Sequence, residues 1–245
     1  MAENKKLRIL CIHGYRQNAQ SFREKTGALR KILKKYAELE YITAPHKVPP
    51  GNMGSAAWGD RSNPAEVENM GQETGPGERG WWFSREDEYF KSTDYSDVSV
   101  GFEESMDMLQ KVLEAGKVDD CEDGGNNQGG GFDGVIGFSQ GASLLSMLCL
   151  MQQKEQARWF KFAILIAGFK SRLSKHSHHY EEKATIPSLH IYGESDQIVS
   201  NEMSEELLQY FDDPKVWLHP GGHFVPATGP QKKIYVEFLQ EMQML

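Results

Sequence analysis

The sequence predicts an α/β protein built on a doubly wound, mostly parallel sheet with helices on both faces. Two observations predict it. Strand-like apolar runs begin near Phe132, Phe160, Pro187 and Pro214, at spacings of 28, 27 and 27 residues, and most intervals between them carry a helical pattern. That is the rhythm of consecutive βα units, whose right-handed crossovers distribute helices over both faces of a sheet. The second observation is a compact apolar run near the start, Leu7 to Ile12, which ends at His13-Gly14 as a strand ends at a loop.

Each element follows in order. After the first strand a single helix is expected from Ser21 to Tyr36, because Phe22, Leu29, Ile32, Leu33 and Tyr36 recur at helical spacing. Leu39 to Thr43 reads as a second strand, stopped by Pro45. Residues 46–95 then break the pattern with Pro49-Pro50-Gly51, further glycines and a polar, acidic stretch from Asp60 to Glu78. A segment of this kind is expected as an irregular insertion, its first part mobile and its aromatic end folded back onto the body. Ser99 to Ala115 is helical by pattern, with Phe102, Met106, Leu109 and Leu113 on one face. Residues 119–131, with Gly124-Gly125 and Gly129-Gly130-Gly131, read as a flexible glycine-rich connector. No G-K-[ST] follows those glycines, so they are not a phosphate loop. The last helix spans Gln231 to Met242. The 245 residues are expected to form one domain, 1–245.

The net charge of −8 argues against a nucleic-acid surface, which needs clustered Lys and Arg. The basic start at Lys5, Lys6 and Arg8 is followed by an apolar run too short for a signal peptide or a membrane span. A cytoplasmic protein with no integral membrane segment is therefore expected. The cysteines, Cys11, Cys121 and Cys149, are odd in number and lack C-x-x-C spacing, so neither a disulfide framework nor a zinc site is expected.

The chemistry centres on Gly137-Phe138-Ser139-Gln140-Gly141, a G-x-S-x-G lying between the apolar pair Val135-Ile136 and a helix-like run from Ala142 to Met151. In an α/β-hydrolase the nucleophilic serine occupies such a strand-to-helix turn, and the triad runs Ser, Asp or Glu, His along the chain. A serine hydroxyl needs a base to take its proton. Gly193-Glu194-Ser195-Asp196 follows one late strand, and His219-Pro220-Gly221-Gly222-His223-Phe224 follows the next. Both lie where a parallel sheet delivers ligand-facing groups, beyond the carboxyl ends of its strands. The assignment is Ser139 as nucleophile, His223 as base and Asp196 as orienter, with His219 and Glu194 as the respective rivals. The oxyanion donors are expected to be the backbone N–H groups of Gln140 and Tyr15. His13 is expected to support its loop rather than transfer protons.

Other groups receive plainer readings. His176, His178 and His179 are expected in a solvated loop, and His190 within the core or on the sheet. Trp81, Trp82 and Phe83 fit either core packing or an apolar acyl pocket. With Phe224 they are taken as candidate substrate-binding residues. No metal and no cofactor is implied.

Several of these stretches resemble the FSH family of serine hydrolases. They are Leu10-Cys11-Ile12-His13-Gly14-Tyr15-Arg16-Gln17-Asn18, the Gly137–Gly141 motif, Gly193-Glu194-Ser195-Asp196 and Gly221-Gly222-His223-Phe224, and the likeness extends along nearly the whole chain. Phe22 to Lys31 and Arg79-Gly80-Trp81-Trp82-Phe83 resemble one member in particular. The resemblance implies an α/β-hydrolase fold, a triad of Ser139, Asp196 and His223, and hydrolysis of carboxylic esters with longer acyl chains. It does not extend to the glycine-rich connector at 124–131 or the polar insertion near 55–78.

Overall fold

A computed structural model describes residues 5–49, 77–118 and 131–245. Most of the insertion and nearly all of the glycine-rich connector lie outside these. The sheet is six-stranded and parallel throughout. Its strands are β1 (Leu7–Ile12), β2 (Ala37–Ile42), β5 (Gly134–Phe138), β6 (Phe162–Ile166), β7 (Ser188–Gly193) and β8 (Lys215–His219), in the spatial order β2-β1-β5-β6-β7-β8. Two short strands, β3 (His46–Lys47) and β4 (Arg79–Gly80), pair antiparallel and close the base of the insertion.

The alternation of side chains along β1 sorts the core into two layers, as the period of two requires. Ile9 and Cys11 join Phe22, Leu29, Leu33, Tyr235 and Phe238 on one face. These come from α1 (Ala19–Lys25), α2 (Gly27–Leu33) and the last helix, α6 (Gly229–Met242). Leu10 and Ile12 face the opposite way, toward α3 (Phe102–Ala115), α4 (Gln140–Lys154) and α5 (Asn201–Leu208). Helices thus cover both faces. The central strands β5, β6 and β7 are buried along their whole length, which explains why β5 and β6 carry no charged or hydrogen-bonding side chain.

The expected helix from Ser21 to Tyr36 is two helices. Thr26 ends the first: its hydroxyl bonds back to the Phe22 carbonyl at 2.7 Å and meets the Tyr41 hydroxyl at 2.7 Å. Such back-bonding competes with helix continuation. Asn18 caps α1 through a reciprocal pair with Ser21. The chain then reaches β2 two residues earlier than the pattern suggested, at Ala37.

The described residues at the far side of the insertion, 77–101, form a strap across the carboxyl edge of the sheet. Phe83 exchanges backbone hydrogen bonds with Val100. Ser92 Oγ donates to the Ile198 carbonyl at 3.0 Å, and Ser174 N donates to Ser96 O at 2.9 Å. The histidine-rich patch is not a loop, and only His178 of its three imidazoles is exposed. It lies in a 3-10 helix, Ser174–Tyr180, where His176 is buried between the hydroxyls of Ser99 (2.6 Å) and Ser171 (2.7 Å). Burial pushes its pKa down to about 3. Among the described residues no helix is long and apolar enough to cross a membrane.

Candidate active site

The strand order reverses between β1 and β5, neighbours that leave the centre of the sheet in opposite directions. Ligand crevices in such sheets form at this switch point. Ser139 sits there, at the end of β5 and the start of α4, with φ 53° and ψ −117°. A positive φ on a residue with a Cβ is costly and must be imposed by its surroundings. The imposing contacts are backbone on backbone. Ser139 N donates to Ile166 O at 2.9 Å. A Cβ on Gly137 would come within 2.7 Å of Ala142 Cα, and one on Gly141 within 2.5 Å of the Ile12 carbonyl oxygen. The two motif glycines are therefore there to let the helix fold back tightly over two strands.

Ser139 Oγ lies 2.9 Å from His223 Nε2, and His223 Nδ1 lies 2.7 Å from Asp196 Oδ2. The other Asp196 oxygen accepts N–H bonds from Ile198 (2.8 Å) and Val199 (2.9 Å), so the carboxylate is held on both sides. The Asp196 carboxylate can only accept, so Nδ1 carries the proton and donates to it, which leaves the Nε2 lone pair facing the serine hydroxyl. The Asp196 side chain is wholly buried and that of His223 is 8% exposed, so little water screens the pair.

These groups meet because two loops pack backbone to backbone. Gly193 lies so close to the next loop that a Cβ would stand 2.5 Å from Gly222 O. Glu194 N, Ser195 N and Ser195 Oγ donate to the carbonyls of His219, Gly221 and Pro220. The same packing disposes of the rivals. Glu194 points to solvent. His219 is buried at the end of β8, where its Nδ1 accepts from Gly221 N at 3.2 Å and its ring lies among Trp217 and Phe224.

Gly14 passes directly against the serine: a Cβ there would be 3.3 Å from Ser139 Cβ. The loop that holds Tyr15 thus borders Ser139. His13 is buried; its Nε2 accepts from Ala44 N at 3.0 Å, which leaves Nδ1–H to donate to Gly14 O at 2.7 Å. Desolvation lowers its pKa to about 4. Gln140 follows Ser139 as the first residue of α4, where backbone N–H groups have no intrahelical acceptor.

Trp81, Trp82 and Phe83 are all buried, Trp81 and Trp82 completely. Trp82 packs edge-on against Phe90 and Phe102, and Phe83 against Tyr15. Their contacts are internal, which makes them the backing of the site rather than an open wall. Phe224 is partly exposed beside His223 and covers Gly221. Two contributions had no sequence signal strong enough to name. The Phe138 ring, stacked on Phe22, backs the His223 ring at 4.9 Å between centroids. The Gln140 carboxamide is buried and reaches the Trp81-Trp82 backbone. A polar residue opening an otherwise apolar helix was the available hint.

Residues 1–235 match the serine hydrolase family FSH1. The chain belongs to that family. This FSH1-family hydrolase is 44% identical over 241 residues to "Esterase OVCA2" of Danio rerio, covering 97% of this chain and 98% of the relative. It is 35% identical over 247 residues to the human "Esterase OVCA2", covering 98% and 99%. Among solved structures it is similar in fold to Arabidopsis thaliana SOBER1, with TM-score 0.55 and 14% identity over 97% of this chain and 99% of that one. A Bacillus cereus carboxylesterase gives TM-score 0.55 at 14% identity, covering 97% and 89%. The FSH1-family chain therefore has the α/β-hydrolase fold and is a serine hydrolase.

Proposed function

We propose that this hydrolase is a carboxylesterase that works through an acyl-enzyme on Ser139, with Asp196 and His223 completing the triad and medium- to long-chain acyl esters as substrates. The observation that carries the reading is the continuous hydrogen-bond chain from Ser139 Oγ through His223 to Asp196. Relatives named esterases, alike along nearly the whole chain, support the ester bond as target. The longer-acyl preference rests on the family resemblance and on Phe224 as the substrate-facing aromatic.

In this mechanism Ser139 Oγ attacks the ester carbonyl carbon as His223 Nε2 takes its proton. The oxyanion is held by the N–H groups of Gln140 and Tyr15, each typically worth ~3 kcal/mol in such sites. Collapse breaks the bond to the alkoxy oxygen, which leaves with the proton from His223. Water, deprotonated by the same imidazole, then releases the acid and restores Ser139. Asp196 keeps the proton on Nδ1 throughout and stabilises the imidazolium. The substrate is a small ester, with no part for nucleic acid. A cytoplasmic setting is included on the strength of unpaired, buried thiols at Cys11 and Cys149.

A panel of para-nitrophenyl esters from two to sixteen carbons, with a matched acyl-coenzyme A, tests the reading. Turnover rising toward the longer esters is expected. Faster cleavage of the thioester would reassign the enzyme as a thioesterase. No turnover, with no fluorophosphonate label on Ser139, would leave only a binding module.

A further inference from the structure

Trp81 joins two elements that nothing in its sequence position relates. Its indole Nε1 donates to His13 O at 2.8 Å. Its backbone N donates to Gln140 Oε1 at 2.9 Å, and Gln140 Nε2 donates to the next carbonyl, Trp82 O, at 2.8 Å. Ser105 Oγ, on α3, bonds the Trp81 carbonyl from the other side. Trp81 and Gln140 have no exposed surface. The two elements so joined are the sources of the two oxyanion donors: the loop of Tyr15 and the first turn of α4.

The orientation of each donor follows from neighbouring carbonyls. Gly14 O is drawn to His13 Nδ1 at 2.7 Å. In a planar trans peptide the N–H points opposite to the C=O, so this bond turns Tyr15 N–H away from the His13 ring. The preceding carbonyl, His13 O, is held by the Trp81 indole. Gly141, two residues after the nucleophile, packs against that same His13 carbonyl. The spacing between the loop and the elbow is thereby set by Trp81 from one side and by Gly141 from the other.

We infer that Trp81 is a positioning residue for the oxyanion hole, a crossbar whose indole N–H and backbone N–H hold Tyr15 N–H and Gln140 N–H at the separation the tetrahedral intermediate needs. This rests on the reading of Ser139 as an acylated nucleophile. Preorganised donors act only when they are already placed, so loosening the crossbar weakens the transition state more than ground-state binding.

The experiment compares wild type with Trp81→Phe, which keeps an aromatic ring and deletes the indole donor. Gln140→Met is the second variant, which keeps the backbone N–H and deletes the clamp. Active serine is counted by fluorophosphonate labelling carried to saturation. kcat per labelled serine should fall about tenfold or more, with KM within about twofold. The rate of labelling should slow in parallel. A lower melting temperature with unchanged kcat overturns the inference, because Trp81 is then only core. A raised KM with unchanged kcat also overturns it and returns Trp81 to the acyl site. Where Trp81→Phe does not fold, Gln140→Met is held to the same outcomes. Absence of turnover and labelling in wild type would instead refute the esterase reading itself.

Discussion

Gly141 lies against the carbonyl of His13 with no room for a side chain. A methyl group at that position would overlap His13 O and stand 2.5 Å from Ile12 O, both of them backbone atoms that cannot rotate away. The first strand's exit and the helix that follows Ser139 are therefore in direct backbone contact. Gly141→Ala should force them apart, at a cost of about 3 kcal/mol, the upper end for overpacking. It should also depress kcat by at least about tenfold, because the proposed oxyanion donors, Tyr15 N–H and Gln140 N–H, belong to these two elements. Urea unfolding and ester kinetics measure the two effects. A variant as stable and active as wild type would show that the contact is slack.

Ser139 is held at φ 53°, a conformation that glycine adopts at little cost. Ser139→Ala and Ser139→Gly should both abolish ester turnover and fluorophosphonate labelling. They should differ in stability, with the glycine variant more stable than the alanine variant by about 1 kcal/mol as the strain is released. Thermal melts of the pair give the difference. An alanine variant that hydrolyses esters at the wild-type rate would move the nucleophile elsewhere.

Asp196→Asn should cost far more than a lost charge. Oδ1 accepts from Ile198 N and Val199 N, and an amide oxygen can keep those bonds. Its NH2 would then face His223 Nδ1 and force the imidazole proton onto Nε2. That tautomer has no lone pair for the serine proton. kcat should drop by roughly 10⁴-fold at neutral pH, as in serine enzymes with this arrangement. Steady-state kinetics on one ester, with circular dichroism to verify folding, tests it; a drop of only a fewfold would give Asp196 a structural role.

Stability should fall in mild acid. His13 has its pKa lowered to about 4 by burial, and His176 and His190 to about 3. The unfolded chain takes up these protons near the ordinary value of about 6.5, while the folded chain does not. More protons on the unfolded state means that stability rises with pH across this window. Full stability is therefore present above about 6.5 and is lost as pH drops toward 4, by about 2 kcal/mol per imidazole between pH 7 and pH 5. Urea midpoints at those two pH values check the sign. A midpoint unchanged or higher at pH 5 would mean that these rings are not buried neutral.

Much of the architecture was legible because its signals are local. The even spacing of apolar runs announced β5 to β8, and Leu7–Ile12 was read as β1 to the residue. The helical pattern after it merges α1 and α2 into one, because a pattern of apolar positions records which face is buried and not whether Thr26 bonds back to Phe22. The same limit applied to His176. A run of histidines looks solvated until Ser99 and Ser171, 77 and 5 residues away, close around it.

The amino-acid order by itself determined the strands of the main sheet and which Ser, His and acidic residues stood at their ends, since turn chemistry and hydrophobic period are properties of neighbours along the chain. The sequence favoured His223 over His219, but only tertiary structure brings its ring to Ser139, because this depends on how the loops after β7 and β8 pack against each other. Tertiary structure alone decided that Trp81 lies behind the site with its indole on His13, a contact across 68 residues that no local pattern encodes.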